Sequence, residues 1–380
     1  MLQRIKLVVV SIIRILLRIF WIFPVNTKTI LFSSYKGKQY SCNPKYIFEY
    51  VYQNYLKKYK YVWCLNEGDK LPIIYDNILM VKHFSFSYVY HCMTAKYIIT
   101  NGGFEPVFPT RKEQVVIDTW HGGGSYKRAG NENIFKNISS TTISFVISSC
   151  ELFSTANSPI WNISLKKFLP IGTPRNDIFF KESKSVIDKI YTFFNIDKTK
   201  KIVLYAPTYR GDYHNADNCN IEIDIKKILE ALKCRFESEF IFLYRMHHFA
   251  NFTIMQNVIS ATEYPDMQEL LYAASILITD YSSCMWDFSF TYKPCFIFAP
   301  DLEEYHIKRG FYVSPEYWPF PLAVTNQQVI DNIREFNNES YINAVKKHHR
   351  ALGSYETGTA AEQFCRIIFG DAVLPTKENI

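Results

Sequence analysis

Two hydroxyls, Ser282 and Ser283, separate the apolar run Ile276-Leu277-Ile278-Thr279 from a second apolar stretch, Cys284 to Phe288. Such a pair at the junction of a buried strand and a helix either caps the helix or cradles an anion, because backbone N–H groups lack partners there. Four other strand ends carry similar chemistry. Val115 to Trp120 runs into His121-Gly122-Gly123-Gly124-Ser125, and Lys201 to Ala206 runs into Pro207-Thr208-Tyr209-Arg210. Phe240 to Tyr244 delivers Arg245-Met246-His247, and Phe168 to Ile171 delivers Gly172-Thr173-Pro174-Arg175. In open α/β sheets ligands bind beyond the carboxyl ends of the strands, so these groups together read as a site for a nucleotide diphosphate.

His121 is the first choice for a general base. Three glycines follow it, which allow close backbone approach and aligned N–H groups, and an imidazole titrates near working pH. Arg245 and His247, two residues apart, share one face of extended backbone. One would neutralise a pyrophosphate and the other would protonate a leaving phosphate. The turn Gly172-Thr173-Pro174 would aim the Arg175 guanidinium at phosphate oxygens. Asp287 lies one helical turn beyond Ser282 and Ser283 and would hold a donor hydroxyl or brace the serines. Against each stands a plainer role: a histidine satisfied in a turn, a solvated strand end, a surface carboxylate.

The elements that must position these groups alternate along the chain. Strands are expected at Thr29–Phe32, Lys60–Leu65, Ile78–Val81, Tyr97–Thr100, Val115–Trp120, Ile143–Ser148 and Phe168–Ile171, with helices at Pro44–Tyr55 and Phe86–Ala95. A helix over Ile178–Asn195 leads to a second series: strands at Ile202–Ala206, Phe240–Tyr244, Ile276–Thr279 and Cys295–Phe298, with helices at Ile225–Phe236, Met267–Ala273 and Asp287–Tyr292. Helices at Val329–Phe336, Tyr341–Leu352 and Ala360–Phe369 close the chain. That alternation predicts two α/β units with parallel sheets.

At 380 residues, 48% of them hydrophobic and 17% aromatic, the chain is too long for one ordinary core and too apolar for disorder. A net charge of +7, spread along the chain, suits a membrane surface or polyanionic substrate, and no nucleic-acid motif accompanies it. The nine cysteines form no C-x-x-C pair, and His247-His248 and His348-His349 are adjacent, which points away from disulfides and metal. No cofactor is expected. The sequence lacks D-x-D, G-x-x-x-x-G-K, G-x-G-x-x-G and G-x-S-x-G, so metal-chelating sugar transferases, P-loop kinases, dinucleotide dehydrogenases and serine hydrolases lose their main support.

Met1 to Phe23 is hydrophobic but broken by Arg4, Lys6, Arg14 and Arg18, short of the roughly 18 apolar residues a span needs. On a helical wheel Gln3, Arg4, Ser11, Arg14 and Arg18 fall in one polar sector, the pattern of an in-plane interfacial helix. A helix docked on the protein's own core or on a partner is the alternative, with a single span bearing snorkelling arginines behind it. No small-residue cleavage site follows, so a place on the cytoplasmic face of the membrane is expected.

These residues resemble the CDP-glycerol glycerophosphotransferase family, bacterial enzymes that build teichoic acids and related capsules. The likeness runs from about Thr29 to Phe369. It rests on Phe32-Ser33-Ser34, Asn43-Pro44-Lys45, Thr119-Trp120-His121-Gly122, Gly172 to Asp177, Tyr205-Ala206-Pro207-Thr208, Arg245-Met246-His247, Thr279 to Ser283, Asp287-Phe288 and Arg309-Gly310-Phe311-Tyr312. The resemblance implies a GT-B-like pair of Rossmann-type domains. Its parts would be a membrane-associating helix at 1–26, an acceptor-side domain at 27–177, a donor domain at 178–370 and a tail at 371–380. It implies His121 and His247 as catalytic residues. Donor contacts would come from Gly122, Gly123, Gly124, Ser125, Arg175, Pro207, Thr208, Arg245, Met246, Ser282, Ser283 and Asp287. CDP-glycerol or CDP-ribitol would be the donor, and a lipid-linked saccharide or polyol phosphate at the membrane the acceptor. A nucleotide-sugar glycosyltransferase and a non-catalytic membrane scaffold stay open beside it.

Overall fold

β-Branched and aromatic runs of two to eight residues, too short for stable helices, pair here as parallel strands, most of them buried. The computed structural model describes residues 2–55, 58–66, 71, 75–128, 135–208, 222–245 and 257–370. The chain divides into two compact units, one from the described residues of Met1–His121, Ala129–Asp177 and Tyr355–Ile380, the other from Gly122–Arg128 and Ile178–Ser354.

The first unit starts with α1 (Leu2–Leu17) and β1 (Asn26–Ser33), then α2 (Cys42–Tyr55), β2 (Lys60–Cys64), β3 (Ile78–Val81), α3 (Phe86–Thr94) and β4 (Ala95–Thr100). β5 (Val115–Asp118), α4 (Lys136–Thr142), β6 (Phe145–Ser148), α5 (Glu151–Trp161) and β7 (Phe168–Pro170) follow. The strand order is β3-β2-β1-β4-β5-β6-β7, every pair parallel. Connections reverse direction between β1 and β4, the kind of switch point beyond whose carboxyl strand ends open α/β sheets bind ligands. Ile30 and Phe32 face a core completed by Ile47, Phe48 and Val51 of α2, while Leu31 faces the opposite core with Tyr88 and Cys92 of α3.

The second unit holds α6 (Lys184–Phe193), β8 (Lys201–Tyr205), α7 (Ile225–Phe236), β9 (Phe240–Tyr244), β10 (Val258–Ser260), α8 (Met267–Ala273), β11 (Ile276–Thr279) and α9 (Cys284–Ser289). It continues through β12 (Cys295–Phe298), α10 (Leu302–Lys308), β13 (Leu322–Ala323), α11 (Asn326–Arg334) and α12 (Asn338–Ala351). Its sheet, β10-β9-β8-β11-β12-β13, is again parallel and reverses between β8 and β11.

The last helix, α13 (Ala360–Phe369), returns to the first unit, unlike the expected placement of 178–370 in one domain. Asp177 accepts from the N–H groups of Ala360 and Ala361, each at 2.9 Å, and Phe364 and Cys365 complete the core beneath α2. Glu356 takes the N–H and hydroxyl of Thr173 at 2.9 and 2.6 Å and Asn176 Nδ2 at 3.1 Å. The expected tail at 371–380 lies outside the described residues.

Three expectations change. The helix foreseen over 178–195 is a 3-10 turn (Pro174–Phe180) followed by α6, since Ser183 leaves helical geometry at ψ 87°. The helix foreseen at 287–292 begins earlier, at Cys284, and the left-handed backbone of Tyr292, φ 55°, ends that stretch. Arg14 does not lie on a solvated face of α1: its guanidinium donates to the carbonyls of Pro106 and Phe108 at 2.7 and 2.9 Å. Gln3, Arg4, Ser11 and Arg18 are exposed, and so are Ile5, Val8, Ile12, Leu16 and Ile19. Among the described residues no helix is long and apolar enough to cross a membrane.

Burial pushes His91 of α3 and both His348 and His349 of α12 down to about 4 from 6.5. The same cause lifts Asp118, at the end of β5, to about 6 from 3.8, against opposing hydrogen bonds from the Trp120 and Gly103 backbones. A neutral buried histidine favours the unfolded chain as pH falls from 6.5 towards 4, because only the unfolded form takes up the proton; the raised carboxyl acts in the opposite sense between 6 and 3.8. The opposed pair His91 and Asp118 sits in the first unit, the additive pair His348 and His349 in the second. Hydrogen exchange at pH 7 and about pH 4.5 should therefore show β8, β11 and β12 losing protection before β1, β4 and β5; a uniform loss would refute this assignment.

Candidate active site

His121 leaves β5 through an unusual turn. Trp120 sits in the left-handed region at φ 53°, a strained position for a bulky residue, and its N–H is taken by Asp118 Oδ1 at 2.9 Å. Its indole stacks on the His121 ring at 4.5 Å and packs on Trp161 at 4.6 Å. The His121 ring faces Asn101, the first residue beyond β4, with Nδ1 2.8 Å from the Asn101 carbonyl. A carbonyl only accepts, so Nδ1 carries the proton and the neutral ring keeps its lone pair on Nε2. Asn101 is itself fixed at the reversal between β1 and β4: its side chain donates to Ser34 Oγ at 3.1 Å and accepts the Tyr35 N–H at 2.8 Å. An exposed imidazole of defined tautomer at the carboxyl edge of a parallel sheet can abstract a proton.

Arg175 lies in the same unit but is not aimed outward. It is buried, and its guanidinium donates to the His121 carbonyl at 2.7 Å and to Cys42 Sγ at 3.2 Å. Asn43 spans the turn: Nδ2 donates to the carbonyls of Thr119 and Trp120 at 3.0 and 3.1 Å, and Oδ1 accepts the Arg175 N–H at 3.1 Å.

The glycines after His121 belong to the second unit. A Cβ on Gly123 would sit 2.1 Å from Trp286 Cδ1, and one on Gly124, at φ 69°, would meet Tyr126 and Trp286 at 2.5 and 2.9 Å. These two positions are small because the indole fills the space, a reason the sequence did not suggest. Ser125 donates its N–H to the Gly123 carbonyl at 2.8 Å. Tyr126 stacks on His348 with its hydroxyl 3.0 Å from Nε2, and Lys127 and Arg128 pair with Phe311 and Gly310.

At the reversal between β8 and β11, Asp280 accepts from the Thr208 N–H and hydroxyl at 2.7 and 2.6 Å and from the Tyr281 N–H at 2.5 Å. Pro207 and Thr208 remain partly exposed there, as do Ser282 and Ser283. Helix α9 has only six residues, and Ser283 makes no side-chain cap bond. Asp287 is buried and accepts from Gln268 Nε2 at 2.9 Å, so it braces α8 and not the serines. Arg245 donates to the Tyr264 carbonyl at 2.6 Å. Met246 and His247 lie outside the described residues. Among the described residues no group of three metal-ligating side chains forms.

Sequence reasoning gave no role to Asn101, Asp280 and Trp286. Asn101 carries the same signature as the other sites, an apolar strand delivering a polar residue and two glycines.

The wall teichoic acid polymerase TagF, solved as a histidine-to-asparagine variant soaked with CDPG, superposes with a TM-score of 0.79 at 26% identity over 91% of this chain and 90% of that one. The teichoic acid poly(glycerol phosphate) polymerase of Bacillus spizizenii is 31% identical over 412 aligned positions, 100% of this chain and 98% of the relative. Its namesake in Bacillus subtilis is 31% identical over 84% of this chain, which spans 45% of that longer protein. A teichoic acid poly(ribitol-phosphate) polymerase of Bacillus spizizenii is 29% identical over 83% of this chain, which covers 52% of it. Fold and likeness define a transferase with two parallel-sheet units. More narrowly, the chain belongs to the CDP-glycerol:poly(glycerophosphate) glycerophosphotransferase family, whose profile residues 15–370 match.

Substituting Gly123 by Ala should lower the melting midpoint, since overpacking against an indole costs about 1–3 kcal/mol. Gly102→Ala, with nothing within 4 Å of the new methyl, should leave it nearly unchanged. Equal shifts in the two variants would contradict the role given to Trp286.

Proposed function

We propose that this protein transfers glycerol phosphate from CDP-glycerol to a hydroxyl of a membrane- or lipid-linked acceptor, releasing CMP, in the synthesis of a teichoic-acid-like or capsular polymer. The acceptor oxygen attacks the β-phosphorus, the bond from that phosphorus to the bridging oxygen breaks, and the hydroxyl proton passes to Nε2 of His121. The observation that carries this reading is the Nδ1 contact with the Asn101 carbonyl, which leaves the basic nitrogen on the other side of the ring. His247 would protonate the departing phosphate. Thr208, Arg245, Ser282 and Ser283 would contact the donor. The two units would form a GT-B-like pair, a reading supported by their two parallel sheets. CDP-ribitol is the second donor to consider, favoured by the ribitol-phosphate relatives.

CMP release from CDP-glycerol, CDP-ribitol and a set of nucleotide sugars, with a lipid-linked acceptor analogue, tests the proposal. CMP from a CDP-polyol, lost in His121→Ala and in His247→Ala with donor binding kept, is expected. UDP or GDP from a nucleotide sugar, with no CMP, would make the protein a glycosyltransferase.

The membrane surface is the proposed partner of α1, on its outward stripe. Ile12 and Leu16 of α1 and Ile19 of the 3-10 turn that continues it (Arg18–Ile22) are 51%, 67% and 68% exposed, and Arg4 and Lys6 supply positive charge nearby. Wild-type protein should co-sediment with anionic vesicles, and a variant with Ile12, Leu16 and Ile19 changed to Glu should stay in the supernatant. Equal partitioning of the two would remove α1 from this role.

A further inference from the structure

We propose that Asn43 is the positioning residue for His121, acting through the turn before it and through Arg175. The inference rests on the general-base reading of His121. One planar amide offers two donors and one acceptor, and all three are engaged: two on the Thr119 and Trp120 carbonyls and one on the Arg175 N–H. These contacts are the points at which the His121 backbone departs from β5. The Trp120 carbonyl belongs to the peptide that bears the His121 nitrogen, and the Arg175 guanidinium takes the carbonyl on the other side of His121. Both peptide groups that flank the catalytic ring are therefore tied, directly or through one arginine, to a single side chain.

Asn43 has no exposed surface and lies in the first turn of α2, where asparagine commonly caps its own helix. Here the amide reaches the β5 turn instead. The arrangement holds a left-handed tryptophan, a conformation that persists only where its surroundings over-determine it. It also gives Arg175 a role different from phosphate binding: a buried guanidinium on a backbone carbonyl sets the height of His121 above the sheet edge.

Asn43→Asp tests this directly, because an isosteric carboxylate keeps the acceptor for the Arg175 N–H but sets oxygen against two carbonyls. Arg175→Lys removes the fork that reaches the His121 carbonyl while keeping the charge. CMP release by the full chain should show kcat down about 100-fold in each, the scale of a displacement near 1 Å, with KM for CDP-glycerol within about threefold and binding stoichiometry for the donor intact. The double variant should be little worse than the poorer single one. A raised KM with kcat retained would make these residues donor contacts and overturn the proposal, as would an unchanged kcat in folded protein. Should Asn43→Asp fail to fold, Arg175→Lys decides alone. His121→Ala run beside them separates the two readings: turnover surviving there removes the general base itself, whereas its loss with Asn43→Asp and Arg175→Lys fully active removes only the positioning role.

Discussion

A parallel strand runs out of ladder partners at its carboxyl end, and the polar groups described above that stand at strand ends are arranged around that fact. Where the connections of the first unit reverse, between β1 and β4, the loops part and their polar groups must be satisfied by side chains. Asn101 does so, bonded to Ser34 and Tyr35 on one side and to His121 on the other. In the second unit the equivalent reversal, between β8 and β11, is closed by Asp280 and Thr208. Each sheet therefore carries one polar stitch at its reversal, and the exposed polar groups stand beside it.

Residue type announces a geometric need more reliably than it names the partner. Gly123 and Gly124 are small to admit Trp286, Arg175 is charged yet turned onto a carbonyl, and Asp287 holds a glutamine in the core. All four look ligand-facing in sequence because glycine, arginine and aspartate are also what phosphate and sugar sites require. Their burial is what separates the two uses, and burial depends on contacts from distant parts of the chain.

Both parallel sheets were legible, since runs such as Ile276–Thr279 and Cys295–Phe298 are uniformly apolar and bounded by turn residues. So was the gathering of polar residues at strand ends. What escaped was short or polar: α4, whose Lys136–Thr142 sequence has no apolar stripe, α5 with Pro159 inside it, the charged α10, and the short edge strands β10 and β13. The return of α13 escaped for another reason. Its amphipathic pattern marks a helix but carries no label for the sheet it covers, and the selection comes from Asp177 and Glu356. The inward turn of Arg14 was illegible likewise, because its partners are backbone carbonyls of Pro106 and Phe108.

That return also orders events during synthesis. The second unit, its own strands and helices complete by Ser354, has all its residues before α13 leaves the ribosome. The first unit does not: its seven strands are made early, yet the face of α2 that meets Phe364 and Cys365 waits for α13. Of the two units, the one begun first thus completes its core second. Until α13 follows, the nascent chain keeps that apolar face open, and truncation before Ala360 would strike the sheet of the first unit and not the one nearer in sequence.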